Sequence, residues 1–287
     1  MYPLAHINPA AELANGVTVG PFSVVEEGVK IGRGCQLGSH VIVKKGTEIG
    51  DDNIIADGAI LGGIPQHVQA TDEVGRLVIG SGNRIRENVT IHLSMRPENT
   101  TCIGNDNFLM VGCHIGHDCH LGNRIIMANN ALLAGHVTVF DAAFISGAVA
   151  VHQFCRIGAH AMISGLARIR QDVPPYVTVD GGSDRIVGLN SIGLRRSGFG
   201  RKEMARLKSA YRIIFRDNLC WRDMMKTLRD EFPDEPAAEF YRFLSQSRRG
   251  IMVSRSLPRH TTLRLVTDLD EFAVDKDLPE REVRRAG

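Results

Sequence analysis

The sequence predicts a mainly β protein, a parallel β-helix built from hexapeptide repeats and followed by a C-terminal α-helical domain. Three observations lead to this prediction. Aliphatic residues recur at every sixth position between Ile7 and Ile169, with two interruptions. Glycine is abundant, with 30 residues, whereas aromatic residues make up only 6% of the chain and include a single tryptophan, Trp221. After Pro175, apolar residues at helical spacing replace the six-residue period.

The six-residue period fits neither an α-helix, with its period of about 3.6, nor a strand, with its period of about 2. It is typical of a triangular coil of three short strands, in which each hexapeptide turns one aliphatic side chain inward and small residues relieve the corners. Residues 7–172 are therefore predicted to form about nine coils of about eighteen residues. The aliphatic positions are Ile7, Leu13, Val19, Val25, Ile31, Leu37, Val43, Ile49, Ile55 and Leu61, then Ile79, Ile85 and Ile91, then every sixth residue from Ile103 to Ile169.

Two stretches, 62–78 and 93–102, interrupt the repeat. Insertions in a solenoid leave it as loops, often on its working face. We therefore expect both loops to lie near the functional site.

Beyond residue 175 three apolar faces at helical spacing predict a small bundle that caps the open end of the solenoid. We expect a β-helix domain over residues 1–189, a helical domain over 190–253 and a charged tail of unassigned structure over 254–287. The faces consist of Met204, Leu207, Tyr211 and Ile214, then Trp221, Met224, Met225 and Leu228, then Phe240, Phe243 and Leu244.

Composition excludes several classes of protein. Hydrophobic content of 43% and charged content of 23% are those of a globular chain rather than a disordered one. No apolar run approaches the ~18 residues of a membrane helix, and no secretory signal is visible, so we expect a cytoplasmic protein without stable membrane insertion. A net charge of +2 gives no argument for nucleic-acid binding. The six scattered cysteines are expected to be reduced thiols that fill small apolar spaces.

Stacking of successive coils predicts a polar column on the outer surface. Residues one coil apart place His117, Gly135 and Gln153 above one another, and a second column beside it contains Asp118, His136 and Phe154. A histidine, a glycine N–H and an amide are the groups that acyl transfer needs for a general base and an oxyanion donor. Further polar candidates are His152 and Asn190.

The segment 113–120 also suggests a metal site, because it holds three histidines, two cysteines and an aspartate. Neighbouring residues in a coil point in different directions, and no second ligand cluster is present in the sequence, so we predict neither a metal nor another cofactor. Covalent catalysis is not supported, since there is no Gly-x-Ser-x-Gly motif and Cys119 follows an acidic Asp118 that disfavours its thiolate. Direct attack by a hydroxyl that histidine deprotonates is the simpler mechanism.

Several blocks together resemble the acyl-carrier-protein-dependent UDP-N-acetylglucosamine O-acyltransferases, which catalyse the first step of lipid A biosynthesis. The most specific are His-Ile-Gly-His-Asp-Cys at 114–119 and Val-His-Gln-Phe-Cys at 151–155. The similarity extends from about residue 5 to residue 250. Further matching blocks are 83–92, 128–131, 134–137 and 171–177.

The resemblance implies a left-handed β-helix and a homotrimer with active sites between neighbouring solenoids. It implies that His117 is the general base on the sugar 3-hydroxyl, that Asp118 orients it, and that the Gly135 N–H forms the oxyanion hole. The acyl donor would be 3-hydroxyacyl carrier protein and the acceptor a UDP-sugar. Substrate contacts would come from Gln66, His114, His136, His152 and Gln153 around the sugar, Asn190 and Arg196 at the nucleotide, and Gly165 at the acyl chain.

A basic helical face offers a docking surface for the acidic carrier protein, although a solvated helix face explains it equally well. Its residues are Arg195, Arg196, Arg201, Lys202 and Arg206.

The sequence departs from the family pattern at four positions. His67 and Gln69 replace an acidic residue and a lysine of the first loop, and Ile192 and Ser197 replace a glutamate and an arginine. The same chemistry on a different nucleotide or amino sugar therefore stays open. Two other classes stay open as well, a metal-dependent enzyme of the gamma carbonic anhydrase type and a hexapeptide scaffold without enzymatic activity.

Overall fold

The structure is a computed structural model that describes residues 4–255. The predicted charged tail therefore lies outside the described residues, apart from its first two positions. The chain up to Arg255 forms one compact unit. Within residues 4–255, no helix has both the length and the apolar character that crossing a bilayer requires.

Most of the described chain consists of very short strands separated by tight turns. In chain order they are β1 (His6–Ile7), β2 (Glu12–Leu13), β3 (Thr18–Val19), β4 (Val24–Val25), β5 (Lys30–Ile31), β6 (Gln36–Leu37), β7 (Ile42–Val43), β8 (Thr47–Ile49), β9 (Ile54–Ile55), β10 (Ile60–Gly63), β11 (Arg76–Ile79), β12 (Arg84–Ile85), β13 (Thr90–His92), β14 (Thr100–Ile103), β15 (Phe108–Leu109), β16 (His114–Ile115), β17 (His120–Leu121), β18 (Ile126–Met127), β19 (Leu132–Leu133), β20 (Thr138–Val139), β21 (Phe144–Ile145), β22 (Ala150–Val151), β23 (Arg156–Ile157), β24 (Met162–Ile163), β25 (Arg168–Ile169), β26 (Val177–Asp180) and β27 (Arg185–Leu189).

Every third strand pairs in parallel, which wraps the chain into a prism with three sheets. The first sheet has nine strands, from β1 through β25, and the second has eight, from β2 through β23. The third has ten among the described residues: eight from β3 through β24, then β26 and the antiparallel β27. This is the predicted parallel β-helix, and the third sheet extends past residue 175, where the repeat was expected to end.

The interior of the prism receives two side chains per hexapeptide, not the single one that the sequence predicted. From Val19 onward the aliphatic residue of each repeat is buried, as at Ile31 and Ile157, and so is the residue two positions earlier, as at Val29 and Cys155. Side chains alternate along a strand, so the residue between these two points outward. The second position holds Ala, Ser, Cys, Thr or Asn more often than Val, Leu or Ile, which hid it from a search for aliphatic periodicity.

Four of the six cysteines occupy this second inward position and are fully buried. Burial raises the pKa of the Cys113 and Cys155 thiols to about 11 and that of Cys119 to about 12. Together with Cys35 they act as small apolar core groups, because a thiol that stays protonated behaves as a small hydrophobe.

The two interruptions form loops at 64–75, between β10 and β11, and at 93–99, between β13 and β14. Ile79 pairs with Ile49 across 30 residues and Ile103 pairs with Ile79 across 24, where an uninterrupted coil uses 18. Both loops therefore add a multiple of six residues, and the six-residue register continues on either side of them.

Within the described residues, four helices follow the solenoid: α1 (Ser191–Arg196), α2 (Arg201–Phe215), α3 (Trp221–Glu231) and α4 (Ala238–Ser245). The predicted faces of α2 and α4 are largely buried. On the predicted face of α3, Met224 and Leu228 are buried, whereas Trp221 at the start of the helix is 52% exposed. Arg156 joins the helices to the solenoid, since its guanidinium stacks over Phe243 of α4 and donates to the carbonyl of the same residue.

The inward column generates a stability prediction at β6. Leu37→Ala should destabilise the fold by about 2–5 kcal/mol, because it removes buried methyl groups and leaves a cavity. Urea unfolding of the variant would measure this loss. The matched control is Gln36→Ala, one residue earlier on the same strand and exposed, which should stay within about 0.5 kcal/mol of the parent. Equal losses in both variants would contradict the inward assignment.

Candidate active site

The site is built at the corner between β16 and β17, where His117 and Asp118 meet. Neighbouring residues of a strand point to opposite faces, so two adjacent side chains converge only at a turn. Asp118 has a φ of 58°, in the left-handed region, and its N–H donates to Thr101 Oγ1 at 2.8 Å. This turn brings His117 Nδ1 to 2.8 Å from Asp118 Oδ2.

The carboxylate of Asp118 lies beneath the second loop, and the residue is only 4% exposed. Its Oδ1 accepts from Ser94 Oγ at 2.7 Å, and its Oδ2 accepts from the N–H of Met95 at 3.1 Å. Burial raises the pKa of this carboxyl, but the hydrogen bonds from Ser94, His117 and Met95 outweigh it, and the net pKa is lowered. Asp118 is therefore ionised at neutral pH.

An ionised carboxylate can only accept hydrogen bonds, so His117 Nδ1 carries the proton and Nε2 keeps a free lone pair. The Nε2 edge of the ring lies against the backbone of Gly135. A Cβ added to Gly135 would come within 2.5 Å of both Cε1 and Nε2 of His117, so any larger residue there would displace the ring. The Gly135 N–H has no hydrogen-bond partner among the described residues.

The free edge of His117 faces a cleft of about 360 Å³. One wall is apolar and comes from the outer face of β19 and β22, with Leu132 and Ala150 among its residues. The other lining groups are polar and come from the corners and the first loop. Five of the sequence-predicted site residues meet here: Gln66, His114, His117, Gly135 and Gln153.

Two predicted residues lie behind this cleft rather than in it. Asp118 is buried as described, and His136 Nε2 lies 3.9 Å from its Oδ2. The His136 ring packs edge-on against His117 and stacks on Phe154 with centroids 4.5 Å apart. The predicted columns are therefore present, but His117 and Asp118 are buried under the loops instead of lying on an open surface.

Four predicted residues are not brought to the cleft within one chain. His152 is exposed, with its Nδ1 3.1 Å from the carbonyl oxygen of Gln153. Asn190 caps α1, accepting from the Gly193 N–H and donating to the carbonyl of His160. Arg196 is exposed at the end of α1. Gly165 lies at a different corner, where an added Cβ would contact the Gly147 carbonyl at 3.4 Å.

Two further histidines line the cleft. Sequence reasoning missed His92, and it singled out His67 only as a departure from the family pattern. His92 is 8% exposed and packs edge-on against His114, and burial lowers the pKa of both imidazoles. The rule of eighteen residues per coil could not place His92, because the second loop lengthens that coil to 24 residues. If the six extra residues of this coil had been left out of the count, Thr90 would have been paired with His114. His92, two residues after Thr90, would then have been placed near the cleft.

The arrangement also contains three potential metal ligands, His117, Asp118 and His136, whose donor atoms lie within 4.8 Å of one another. Both carboxylate oxygens of Asp118 already accept hydrogen bonds, including one from His117 itself. A metal would have to displace these donors. The cluster is better satisfied as a hydrogen-bonded dyad than as a ligand set.

Comparison with known proteins was made on sequence and on structure. The model of UDP N-acetylglucosamine O-acyltransferase domain 2 matches residues 172–252, and the bacterial transferase hexapeptide model matches residues 10–45 and 28–63. The acyl-[acyl-carrier-protein]–UDP-N-acetylglucosamine O-acyltransferase of Paraburkholderia phymatum is 44% identical over 258 residues, covering 88% of this chain and 98% of that protein. The corresponding protein of Pseudomonas entomophila is 45% identical over 251 residues, covering 87% and 97%.

Two solved structures agree with these relatives. The UDP-N-acetylglucosamine acyltransferase of Francisella novicida has a TM-score of 0.85 and 35% identity, covering 90% of this chain and 99% of that chain. That of Campylobacter jejuni has a TM-score of 0.83 and 34% identity, covering 88% and 99%. The fold is therefore the left-handed hexapeptide β-helix that the sequence predicted.

The lowered pKa of Asp118 generates a stability prediction. A carboxyl whose pKa is depressed on folding stabilises the protein above its unfolded pKa of about 3.9, and this contribution is lost as the pH falls through the folded pKa. Asp118→Asn should therefore be less stable than the parent at pH 6, and the difference should shrink below pH ~4. Urea unfolding across this range measures it, and a pH-independent difference would contradict an ionised Asp118.

Proposed function

This chain belongs to the family of UDP-N-acetylglucosamine O-acyltransferases, and from that premise we propose how its cleft works. The chain is an acyltransferase. The proposed reaction moves a 3-hydroxyacyl chain from acyl carrier protein to the 3-hydroxyl of UDP-N-acetylglucosamine, as the first step of lipid A biosynthesis in the cytoplasm. The observation that carries the mechanism is the His117–Asp118 dyad, whose free Nε2 lies beside an unpartnered Gly135 N–H.

In the proposed mechanism, His117 Nε2 accepts the proton of the sugar 3-hydroxyl as its oxygen attacks the thioester carbonyl. Asp118 keeps the proton of His117 on Nδ1 and stabilises the imidazolium that forms. The tetrahedral intermediate collapses by breaking the carbon–sulfur bond, and the imidazolium returns its proton to the leaving thiolate. No covalent acyl-enzyme is required.

Gly135 would stabilise the oxyanion of the intermediate. Its N–H is free, and the absence of a side chain lets the reacting carbonyl approach the backbone next to His117. One lost oxyanion donor typically costs about 10²–10³-fold in kcat. The apolar wall formed by Leu132 and Ala150 provides a surface for the acyl chain.

We further propose that the enzyme is a homotrimer with clefts between neighbouring solenoids. The outward row of the third sheet is apolar over four successive strands, where Phe108, Ile126, Phe144 and Met162 are half-buried. The exposed Arg84 separates this run from Ile54. A contiguous apolar face of this kind marks a protein interface. Assembly would also explain why Asn190 and Arg196 lie away from the cleft of their own chain, since a neighbour could contribute them to the nucleotide.

The acidic acyl carrier protein would dock on the basic surface of α1 and α2. Arg195, Arg196, Arg201 and Lys202 are exposed, and none has an ion-pair partner among the described residues. Arg206 does not belong to this surface, because it stacks over Phe232 and donates to the carbonyl of Glu231. Unpaired charges of one sign steer an oppositely charged partner.

A different nucleotide or amino sugar is the second candidate acceptor. His67 lines the cleft with its ring centroid 5.6 Å from that of His117, and its Nδ1 accepts from the N–H of Gln69. A histidine ring therefore lies beside the proposed base. In the family pattern this part of the first loop carries an acidic residue and a lysine, which His67 and Gln69 replace here.

The reaction is tested by acyl transfer from 3-hydroxyacyl carrier protein to UDP-N-acetylglucosamine. His117→Ala should lower kcat by at least about 10²-fold, because it removes the general base. His40→Ala is the matched control, since His40 is an exposed corner histidine that does not line the cleft, and it should retain most of the activity. An inactive parent enzyme would contradict this acceptor, and a panel of other nucleotide sugars would then test the second candidate.

The docking surface is tested by charge reversal. The double variant Arg201→Glu/Lys202→Glu should raise the KM for the carrier-protein donor about tenfold or more, and the salt dependence of the KM should weaken. Arg222→Glu on α3 is the control, because it changes an equally exposed arginine outside this surface. Equal effects of both variants would show that only the net charge of the enzyme matters.

A further inference from the structure

The second loop, 93–99, lies over Asp118 and supplies it with three hydrogen-bond donors. Ser94 Oγ is 2.7 Å from Oδ1, the Met95 N–H is 3.1 Å from Oδ2, and Asn99 Nδ2 is 3.3 Å from Oδ1. Ser94 is fully buried and does not line the cleft. Its contact with Asp118 is the shortest of the three, and Ser94 itself does not reach the cleft in which a substrate would bind.

The Ser94 hydroxyl has one proton and two acceptors within reach. The Asp118 carboxylate lies at 2.7 Å and the carbonyl oxygen of Arg96 at 3.3 Å. The shorter bond to a charged acceptor is the stronger one, so the proton points to Asp118. The Ser94 oxygen accepts in turn from the Arg96 N–H at 3.4 Å, which fits a hydroxyl used as a donor.

The backbone of Ser94 is held by the end of the first loop. The Gly75 N–H donates to the Ser94 carbonyl at 2.9 Å, and the Ser94 N–H lies 3.4 Å from the Arg76 carbonyl. A side chain on Gly75 would overlap the carbonyl oxygens of Arg96 and Asn99, so only glycine allows the two loops to pack this closely. The hydroxyl therefore sits at a fixed position on a rigid support.

The other titratable groups around Asp118 do not replace this contact. His117 bonds Oδ2, and His136 Nε2 is 3.9 Å from the same oxygen. His120 Nδ1 is 3.2 Å from the backbone carbonyl of Asp118, and the buried Cys119 thiol bonds the Ala134 carbonyl. Among residues 4–255, Oδ1 has hydrogen-bond donors only in Ser94 and the more distant Asn99. Without Ser94, that oxygen would have no strong donor to hold it.

We propose that Ser94 is a positioning residue, whose hydroxyl fixes the Asp118 carboxylate so that His117 keeps its Nε2 lone pair aimed into the cleft. The inference rests on the proposed acyl transfer for its kinetic consequence, but not for its structural one. Ser94 thereby extends the dyad to a relay of hydroxyl, carboxylate and imidazole. The second loop is then a catalytic support as well as a surface insertion.

The test measures Ser94→Ala and the nearly isosteric Ser94→Cys, whose thiol is a weak donor. Both should lower kcat about tenfold, the effect expected for a lost hydrogen bond to a charged group, with the KM of either substrate changed less than about twofold. The acidic limb of the kcat/KM profile should move to higher pH, because the ionised form of Asp118 loses a stabilising donor. Asn99→Ala, which removes a longer bond, should shift both quantities less.

Ser23→Ala is the matched control. Ser23 is also fully buried and bonds two backbone groups, the Gly38 carbonyl and the Val41 N–H, on a coil away from the site. It should lower thermal stability while leaving kcat and the pH profile unchanged. An unaltered Ser94→Ala enzyme, or a Ser23→Ala variant that reproduces its kinetic changes, would overturn the proposal.

A second measurement keeps this inference separate from the reaction. In protein labelled with ¹⁵N-histidine, the His117 Nδ1–H resonance reports its hydrogen bond to Asp118 whether or not a substrate is known. As the pH is lowered, protonation of Asp118 breaks this hydrogen bond and the resonance disappears. In Ser94→Ala this should happen at a higher pH than in the parent. Identical behaviour of the two proteins would refute the positioning role, whereas a parent enzyme without transfer activity would refute the proposed reaction alone.

Discussion

Parallel pairing of every third strand is the constraint on which the rest of this molecule depends. It fixes each coil directly above the previous one, so the inward aliphatic residues form continuous columns and need few aromatic side chains to fill the core. The same pairing aligns the outward residues and the corner residues of successive coils. A site can therefore be assembled from residues far apart in sequence without any long-range folding of loops, as His117 and Gly135 show.

Chemistry is concentrated where this regularity is broken. A regular corner would leave His117 and Asp118 exposed to water, where a hydrogen-bonded dyad gains little. The two loops cover them, and the second loop adds donors to the carboxylate through Ser94 and Met95. Burial strengthens these bonds because the local dielectric is low. The solenoid thus sets the spacing between the site residues, while the two loops bury the His117–Asp118 dyad and provide its hydrogen-bond donors.

The apolar wall of the cleft is formed by side chains that point outward from the first sheet. Outward positions of the first sheet carry His114, Leu132 and Ala150 on successive strands. A polar group next to the base is therefore followed by two apolar ones along the stack. This gradient suits a substrate pair that consists of a sugar and a fatty acyl chain.

The sequence by itself determined the β-helix, the helical domain and the composition of the polar columns. A six-residue aliphatic period is typical of a triangular coil of three strands, and stacking of such coils places residues eighteen apart in register. It could not reveal the second inward position, since Cys, Ala, Asn and Thr there carry no hydrophobic period. It also missed His92 and Ser94, because their place depends on the length and path of a loop. Only the tertiary structure decided that His117 and Asp118 share a buried turn, since a left-handed φ at Asp118 and cover by a distant loop leave no mark in local sequence.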